Sequence, residues 1–211
     1  QDIPEDILDG VSLVQLSGYV FISPLQCQSA FHLIEMARKR GVPVSLDTGL
    51  DPLEREPEIF RQVLPHLTLC ITGEEEAALL TGKPDLKDQA AALLAQGMKM
   101  VAIKLGGRGA YLAWPQGELL LPAFQVEVKD TTGAGDAFSA GLIYGWMHGY
   151  SPCASGALAN ALGGLSTTYY GAAWIGRDEV LPFLQSVQRQ QPDHPARCGI
   201  QESIQRLSMQ A

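Results

Sequence analysis

The sequence predicts an α/β layered fold. Short apolar or β-branched runs alternate with amphipathic helical stretches, the helical stretches stop at glycines such as Gly41 and Gly82, and strand followed by crossover repeats three times before residue 105. The elements follow in order. Val11 to Leu16 is a buried strand, and Pro24 to Arg40 is a helix whose Phe31, Leu33, Ile34 and Ala37 supply an apolar face. After Gly41, Val42 to Leu46 is a second strand and Leu67 to Thr72 a third. A short acidic helix, Glu74 to Leu80, closes at Gly82-Lys83-Pro84. Leu86 to Gln96 is a helix and Met100 to Lys104 a strand. The turn Gly106-Gly107-Arg108-Gly109 joins that strand to another, Gly109 to Trp114. Leu119 to Val128 reads as extended edge structure, followed by helices over Gly135 to His148, Pro152 to Tyr169 and Asp178 to Gln188. One domain is therefore expected over residues 1–189. Residues 190–211, with Pro192 and Pro195, read as a polar tail carrying a short helix from Ile200 to Met209.

A chain of 211 residues with 46% hydrophobic content is long enough to bury a full core. No apolar run reaches the roughly 18 residues of a spanning helix. The start, Gln1 to Asp6, is acidic where a signal peptide is basic and then apolar, so a cytoplasmic location is expected. The net charge of -8 argues against a nucleic-acid or anionic-membrane partner, which would need a basic face. A mononucleotide is still compatible, because a pocket needs only local N–H donors. Cys27, Cys70, Cys153 and Cys198 form no Cys-x-x-Cys pair, and His32, His66, His148 and His194 are equally scattered. That spacing suits reduced thiols rather than a disulfide framework or a zinc site.

Chemistry concentrates in Lys129-Asp130-Thr131-Thr132-Gly133-Ala134-Gly135-Asp136-Ala137-Phe138, a loop of small residues that enters a helix. A helix N-terminus exposes unpaired N–H groups at its positive dipole end, and Gly133, Ala134 and Gly135 let an anion approach them closely. Asp136, in the first turn, is a carboxylate beside that anion site. Donors for charge spread over a transferred phosphoryl group, plus a base for a hydroxyl proton, are what phosphoryl transfer needs. An ordinary tight turn with a dipole-complementing aspartate would carry the same residues.

Asp130-Thr131-Thr132-Gly133-Ala134-Gly135-Asp136-Ala137-Phe138, followed by Ser139-Ala140-Gly141-Leu142, resembles the C-terminal signature of the ribokinase (PfkB) family of carbohydrate kinases. The resemblance runs from about Val11 to Gln188. It implies a ribokinase-like three-layer α/β/α sandwich with a mostly parallel central sheet. It also implies ATP-dependent phosphorylation of a sugar or nucleoside hydroxyl, with Asp136 as catalytic base and Gly133, Ala134, Gly135 and Asp136 as the anion hole around the γ-phosphate. Lys104, Gly106, Gly107, Arg108 and Gly109 match the strand and turn that pack along the nucleotide, and Asn160 falls at the adenine pocket. Glu76 matches a glutamate that holds Mg2+ through water. In cation-activated members, positions matching Asp130, Thr132, Ser166, Tyr169 and Gly171 surround K+. Taken singly, Lys104 also reads as a snorkelling surface cation, Asn160 as a backbone-bonding amide and Gly171 as a helix C-cap.

The match has two departures. Gly73 stands where the family's Asn-x-x-Glu segment carries asparagine, and Asp47-Thr48-Gly49-Leu50-Asp51 keeps only Asp47 of an Asp-x-Asn-x-Arg strand end. The family's first strands and its β-sheet lid, through which members dimerise, are also not found in this sequence. A homodimer is expected only if the lid is present. The expectation is an ATP-dependent phosphotransferase. The alternative is a non-catalytic protein of the same fold that holds nucleotide or serves as an assembly partner. No Gly-x-Gly-x-x-Gly follows the first strand and no Gly-x-x-x-x-Gly-Lys-Ser/Thr occurs, so neither a Rossmann nor a P-loop mechanism is supported.

Overall fold

A computed structural model describes residues 3–209 of the chain; Gln1, Asp2, Gln210 and Ala211, the outer ends of the two expected domains, lie outside the described residues. Strands and helices alternate in the first half: β1 (Val14–Ser17), α1 (Pro24–Arg40), β2 (Val44–Asp47), α2 (Leu50–Arg55), α3 (Pro57–Val63), β3 (Leu69–Gly73), α4 (Glu74–Thr81), α5 (Leu86–Leu94) and β4 (Met100–Lys104). β5 (Ala110–Trp114) and β6 (Gly117–Leu121) follow, then α6 (Ala134–Met147), α7 (Pro152–Ser166), α8 (Arg177–Gln190) and α9 (Arg197–Met209). The strands form one six-stranded sheet in the order β1-β2-β3-β4-β5-β6. β1 to β4 run parallel, with Leu16 beside Leu46, Leu46 beside Cys70, and Gly73 beside Lys104. The links into β5 and β6 are too short for a crossover, so these two strands turn back antiparallel. The expected α/β fold with a mostly parallel sheet is what the chain forms.

The chain divides into two compact units. The first comprises Gln1–Lys104 and Tyr111–Glu118, the second Leu105–Ala110 and Leu119–Ala211. In the first, Leu69, Cys70 and Ile71 of β3 and Val101, Ala102 and Ile103 of β4 are all fully buried. Side chains alternate between sheet faces, so consecutive burial means that both faces of these strands are covered. Phe21 and Phe60 meet edge to face 5.2 Å apart beside this core. α1 ends where Gly41 turns left-handed at φ 67°, as the glycine stop predicts.

In the second unit α6 and α7 pack as an antiparallel pair through small residues. A Cβ on Gly141 would lie 2.9 Å from the Ala159 Cα, and one on Gly145 would lie 2.7 Å from the Ser155 Oγ. α7 is Ala- and Gly-rich and buried along most of its length, from Ala154 to Ala161. Several elements differ from the sequence expectation. α2 and α3 were not anticipated. The extended segment ends at Leu121, because Pro122 has no N–H to continue a ladder. α7 stops at Ser166 rather than Tyr169, where Ser166, Thr167 and Thr168 turn their hydroxyls back onto the carbonyls of Gly163, Gly164 and Leu165. The helix expected at Ile200 begins at Arg197 and is packed on α7, burying Ile200 and Leu207.

Candidate active site

The glycine-rich loop of the second unit does form a helix N-terminus. Gly133 is the N-cap of α6 in the left-handed region at φ 78°. A side chain there would also press on Ala172, whose Cβ lies 3.1 Å from the position of an added Cβ. The Ala134 N–H is held by the Thr131 carbonyl at 3.1 Å, and the Ala137 N–H returns to the Gly133 carbonyl at 2.9 Å. Gly135 and Asp136 occupy the second and third helical positions, whose N–H groups have no intrahelical acceptor. Asp136 is exposed, so its carboxylate stands in solvent beside these amides. Opposite the first turn, α7 presents Gly163; an added Cβ would lie 3.3 Å from the Ala134 carbonyl oxygen. The helix can therefore sit close to α7 while leaving its own tip uncrowded.

Asp130 ties this loop down. One carboxylate oxygen accepts from the Thr132 N–H at 2.9 Å and the Thr132 hydroxyl at 2.8 Å, and the other accepts from the Gly171 N–H at 2.8 Å. These bonds, the Gly171 N–H foremost, hold the Asp130 carboxyl below its ordinary range. The Lys129 and Asp130 N–H groups both donate to the Thr167 carbonyl. Three of the expected K+ positions, Asp130, Thr132 and Gly171, are thus brought together. The other two side chains are turned elsewhere. Ser166 donates to the Gly163 carbonyl, and the Tyr169 hydroxyl donates to Glu179 at 2.6 Å. The Asp130 carboxylate is thus surrounded by N–H and O–H donors, and the Ser166 and Tyr169 side chains are committed to other partners.

Gly106, Gly107 and Arg108 form a single turn closed by Gly109, whose φ of 100° only glycine adopts readily. A Cβ on Gly109 would lie 2.0 Å from the Leu121 carbonyl oxygen. Asn160 is buried and places its amide group on two carbonyls, Pro122 at 3.1 Å and Leu121 at 3.4 Å. Its nitrogen therefore anchors the end of β6 and the segment after it.

Lys104 and Glu76 belong to the first unit, where β2, β3 and β4 end side by side. Strand C-termini are the usual ligand face of a parallel sheet. The Lys104 ammonium bridges both carboxylate oxygens of Asp47, at 2.7 and 2.9 Å, with the two side chains only 22% and 15% exposed. Glu76 turns back to the start of α4. Its Oε2 accepts from the Gly73 N–H at 2.9 Å, from the Thr72 hydroxyl at 3.3 Å, and from the Thr48 hydroxyl. Its Oε1 fills the space that a side chain at 73 would occupy, 2.9 Å from the position of an added Cβ. Asp47, Glu76 and Lys104 all act on Cys70 beneath them. Burial first, then the two carboxylates, push its thiol up to about 12, against the opposing ammonium. No group of three or more His, Cys, Asp or Glu side chains among the described residues could enclose a metal. Glu76, with one oxygen committed to three donors, fits Mg2+ only through intervening water. Thr48, Thr72 and the Asp47–Lys104 pairing were not singled out from the sequence. Their one signal is that they stand at or just beyond the ends of predicted strands.

The residues 1–175 match the model of the pfkB family of carbohydrate kinases. Over 129 residues the chain is 32% identical to an uncharacterized sugar kinase of Archaeoglobus fulgidus, covering 61% of this chain and 51% of that protein. Among solved structures, an aminoimidazole riboside kinase from Salmonella enterica, complexed with aminoimidazole riboside and an ATP analog, superimposes with a TM-score of 0.71 at 27% identity, over 82% of this chain and 62% of its own. A fructokinase from Vibrio cholerae O395, bound to fructose, ADP and a potassium ion, does so with a TM-score of 0.68 at 27% identity, over 76% of this chain and 55% of its own. The chain thus spans about half the length of the curated relatives it matches first. No described helix is long and apolar enough to cross a membrane. With the signature loop folded as a helix N-cap, the family match over most of the chain and likeness to solved kinases, this chain belongs to the pfkB family of carbohydrate kinases.

Proposed function

We propose that the chain carries the nucleotide-binding and proton-accepting part of an ATP-dependent kinase that phosphorylates a hydroxyl of a sugar or a nucleoside. The observation that carries this reading is the start of α6. A left-handed Gly133 cap is followed by the Gly135 and Asp136 amides, which have no intrahelical acceptor, with the Asp136 side chain exposed beside them. In the reaction the acceptor oxygen attacks the γ-phosphorus, and the bond from phosphorus to the β–γ bridging oxygen breaks. ADP leaves, and the hydroxyl proton passes to Asp136. The Gly135 and Asp136 amides face the charge that builds on the equatorial phosphoryl oxygens. Gly133 and Ala134 shape the turn that aims them, and Asp130 keeps the turn from swinging by holding Gly171 and Thr132. The turn Gly106 to Gly109 and the Oδ1 of Asn160 are assigned to the nucleotide. Mg2+, held by Glu76 through water, would neutralise phosphate charge, and K+ at Asp130, Thr132 and the carbonyls of Ser166, Tyr169 and Gly171 would brace the anion hole.

The relatives support both acceptor classes, since one solved neighbour is complexed with a riboside and another with fructose. The decisive variant is Asp136→Asn in the full gene product. Turnover is expected to fall by at least about 1,000-fold while nucleotide affinity, read by calorimetry, stays within a few fold, because the lost group acts on the acceptor. Turnover like that of the wild type would overturn the assignment.

A further inference from the structure

A second chemistry sits in the second unit and does not depend on the kinase reading. We infer that Cys153 and Cys198 are a peroxide-oxidisable dithiol pair that closes to a disulfide and locks α9 onto α7. The two helices meet at their smallest residues. A Cβ on Gly199 would lie 2.4 Å from the Cys153 carbonyl oxygen and 2.8 Å from the Ala154 nitrogen, so the backbone at 199 rests directly on the 153–154 peptide. One turn on, the Ser203 hydroxyl donates to the Ala154 carbonyl at 3.0 Å. Gly199, in the first turn of α9, has an N–H without an intrahelical acceptor, and the Cys153 sulfur takes that hydrogen bond. The Gly199 nitrogen is two bonds, about 2.4 Å, from the Cys198 Cα. The sulfur of one cysteine therefore lies against the backbone that carries the other, and the two thiols act on each other electrostatically. A disulfide needs the Cα atoms of its two cysteines within about 7 Å, and the Gly199 contact is inferred to bring the 153 and 198 backbones into that range.

The two thiols differ in access. Cys198 is exposed and Cys153 is only partly so. Burial pushes the Cys153 thiol up, while the Gly199 N–H opposes the shift. Cys198 is therefore the first to meet hydrogen peroxide. Its thiolate attacks one peroxide oxygen, the O–O bond breaks, hydroxide leaves to become water, and a sulfenic acid forms. The Cys153 thiolate then attacks the Cys198 sulfur, the S–O bond breaks, and a second hydroxide is protonated to water. Two thiols lose two electrons and two protons, and one peroxide becomes two waters. Cys70 is fully buried and offers no competing thiol.

The test uses the purified chain, reduced, then treated with a small excess of hydrogen peroxide and alkylated in denaturant. The expected result is a loss of two hydrogens in most molecules and a tryptic peptide joining residues 130–177 to 198–206. Cys153→Ser and Cys198→Ser each remove the link and Cys27→Ser keeps it. The thermal midpoint rises by several degrees on oxidation and falls back with dithiothreitol. A link from Cys198 to Cys27 or to a second chain would overturn the inference. So would Cys198 driven to sulfinic acid while Cys153 still takes the alkylating agent. If either serine variant fails to fold, the wild-type peptide map alone decides.

Discussion

Gly109 and Thr48 show how single atoms set the tolerances here. Gly109 combines a φ of 100° with a carbonyl oxygen 2.0 Å from where a Cβ would be. Gly109→Ala should cost about 2–4 kcal/mol, read as a lower urea midpoint with an unchanged slope, since strain and clash add. Thr48 is fully buried, and its hydroxyl is shared between the Thr72 oxygen at 2.9 Å and Glu76. Thr48→Val leaves the Glu76 carboxylate one donor short in a partly buried place, and a loss of about 1.5–3 kcal/mol is expected, whereas Thr48→Ser should recover most of it. A valine variant as stable as the wild type would mean that water replaces the hydroxyl. At this scale the signature loop was legible because its chemistry is local: small residues, a helix start and an aspartate lie within ten positions. The Asp47–Lys104 pair joins residues 57 apart in sequence, and nothing in either neighbourhood announces the other.

Among the elements, α9 acts as a clasp on the α6–α7 turn. Arg206 donates to the His148 and Gly149 carbonyls and lies 4.9 Å over the Tyr150 ring. Glu202 accepts from the Ser151 N–H at 2.9 Å and its hydroxyl at 2.6 Å, and pairs with Arg206. Burial pushes the Glu202 carboxyl up, but the Ser151 bonds and Arg206 outweigh it, and the net shift is downward. A carboxyl lowered on folding stabilises the fold above its unfolded pKa, near 4.3, and that contribution is lost as pH falls through the folded value. Glu202→Gln should therefore lower stability at pH 7 by about 1 kcal/mol, with the deficit vanishing in acid denaturation below about pH 4. Equal deficits at pH 7 and pH 3 would show that the charge is idle. Long elements with clean stops, such as α1, were readable to the residue. α2 and α3 were not, because six and seven residues are too short to show a period, and Pro52 and Pro57 interrupt the helical pattern. Leu53, Phe60 and Val63 are buried all the same, so tertiary packing holds what propensity does not. α9 was expected from Ile200 to Met209, but its packing was hidden. Its glutamines and arginines read as a tail, while the face that packs is made of Gly199, Ile200, Ser203 and Leu207.

Over the whole molecule, stability should lean toward neutral pH. His194 accepts the Ala196 N–H on Nδ1 at 3.0 Å, which requires the neutral ring, and its Nε2 is buried without a partner. Burial lowers its pKa. An imidazole lowered on folding stabilises at and above its unfolded value of about 6.5, and loses that contribution as pH falls toward the folded one. His194→Asn keeps an acceptor for the Ala196 N–H without titrating, so its urea midpoint should change less between pH 7 and pH 5 than that of the wild type; parallel profiles would clear His194 of the effect.

Cys70 gives the chain a built-in clock. Cys70 lies in β3 with no exposure, and the pKa near 12 leaves almost no thiolate at neutral pH. A chromogenic thiol reagent added to the reduced native protein will therefore consume the other cysteines and stall one equivalent short. The slow arrival of that last equivalent times how often the middle of the sheet opens, with no label to attach and no residue to change.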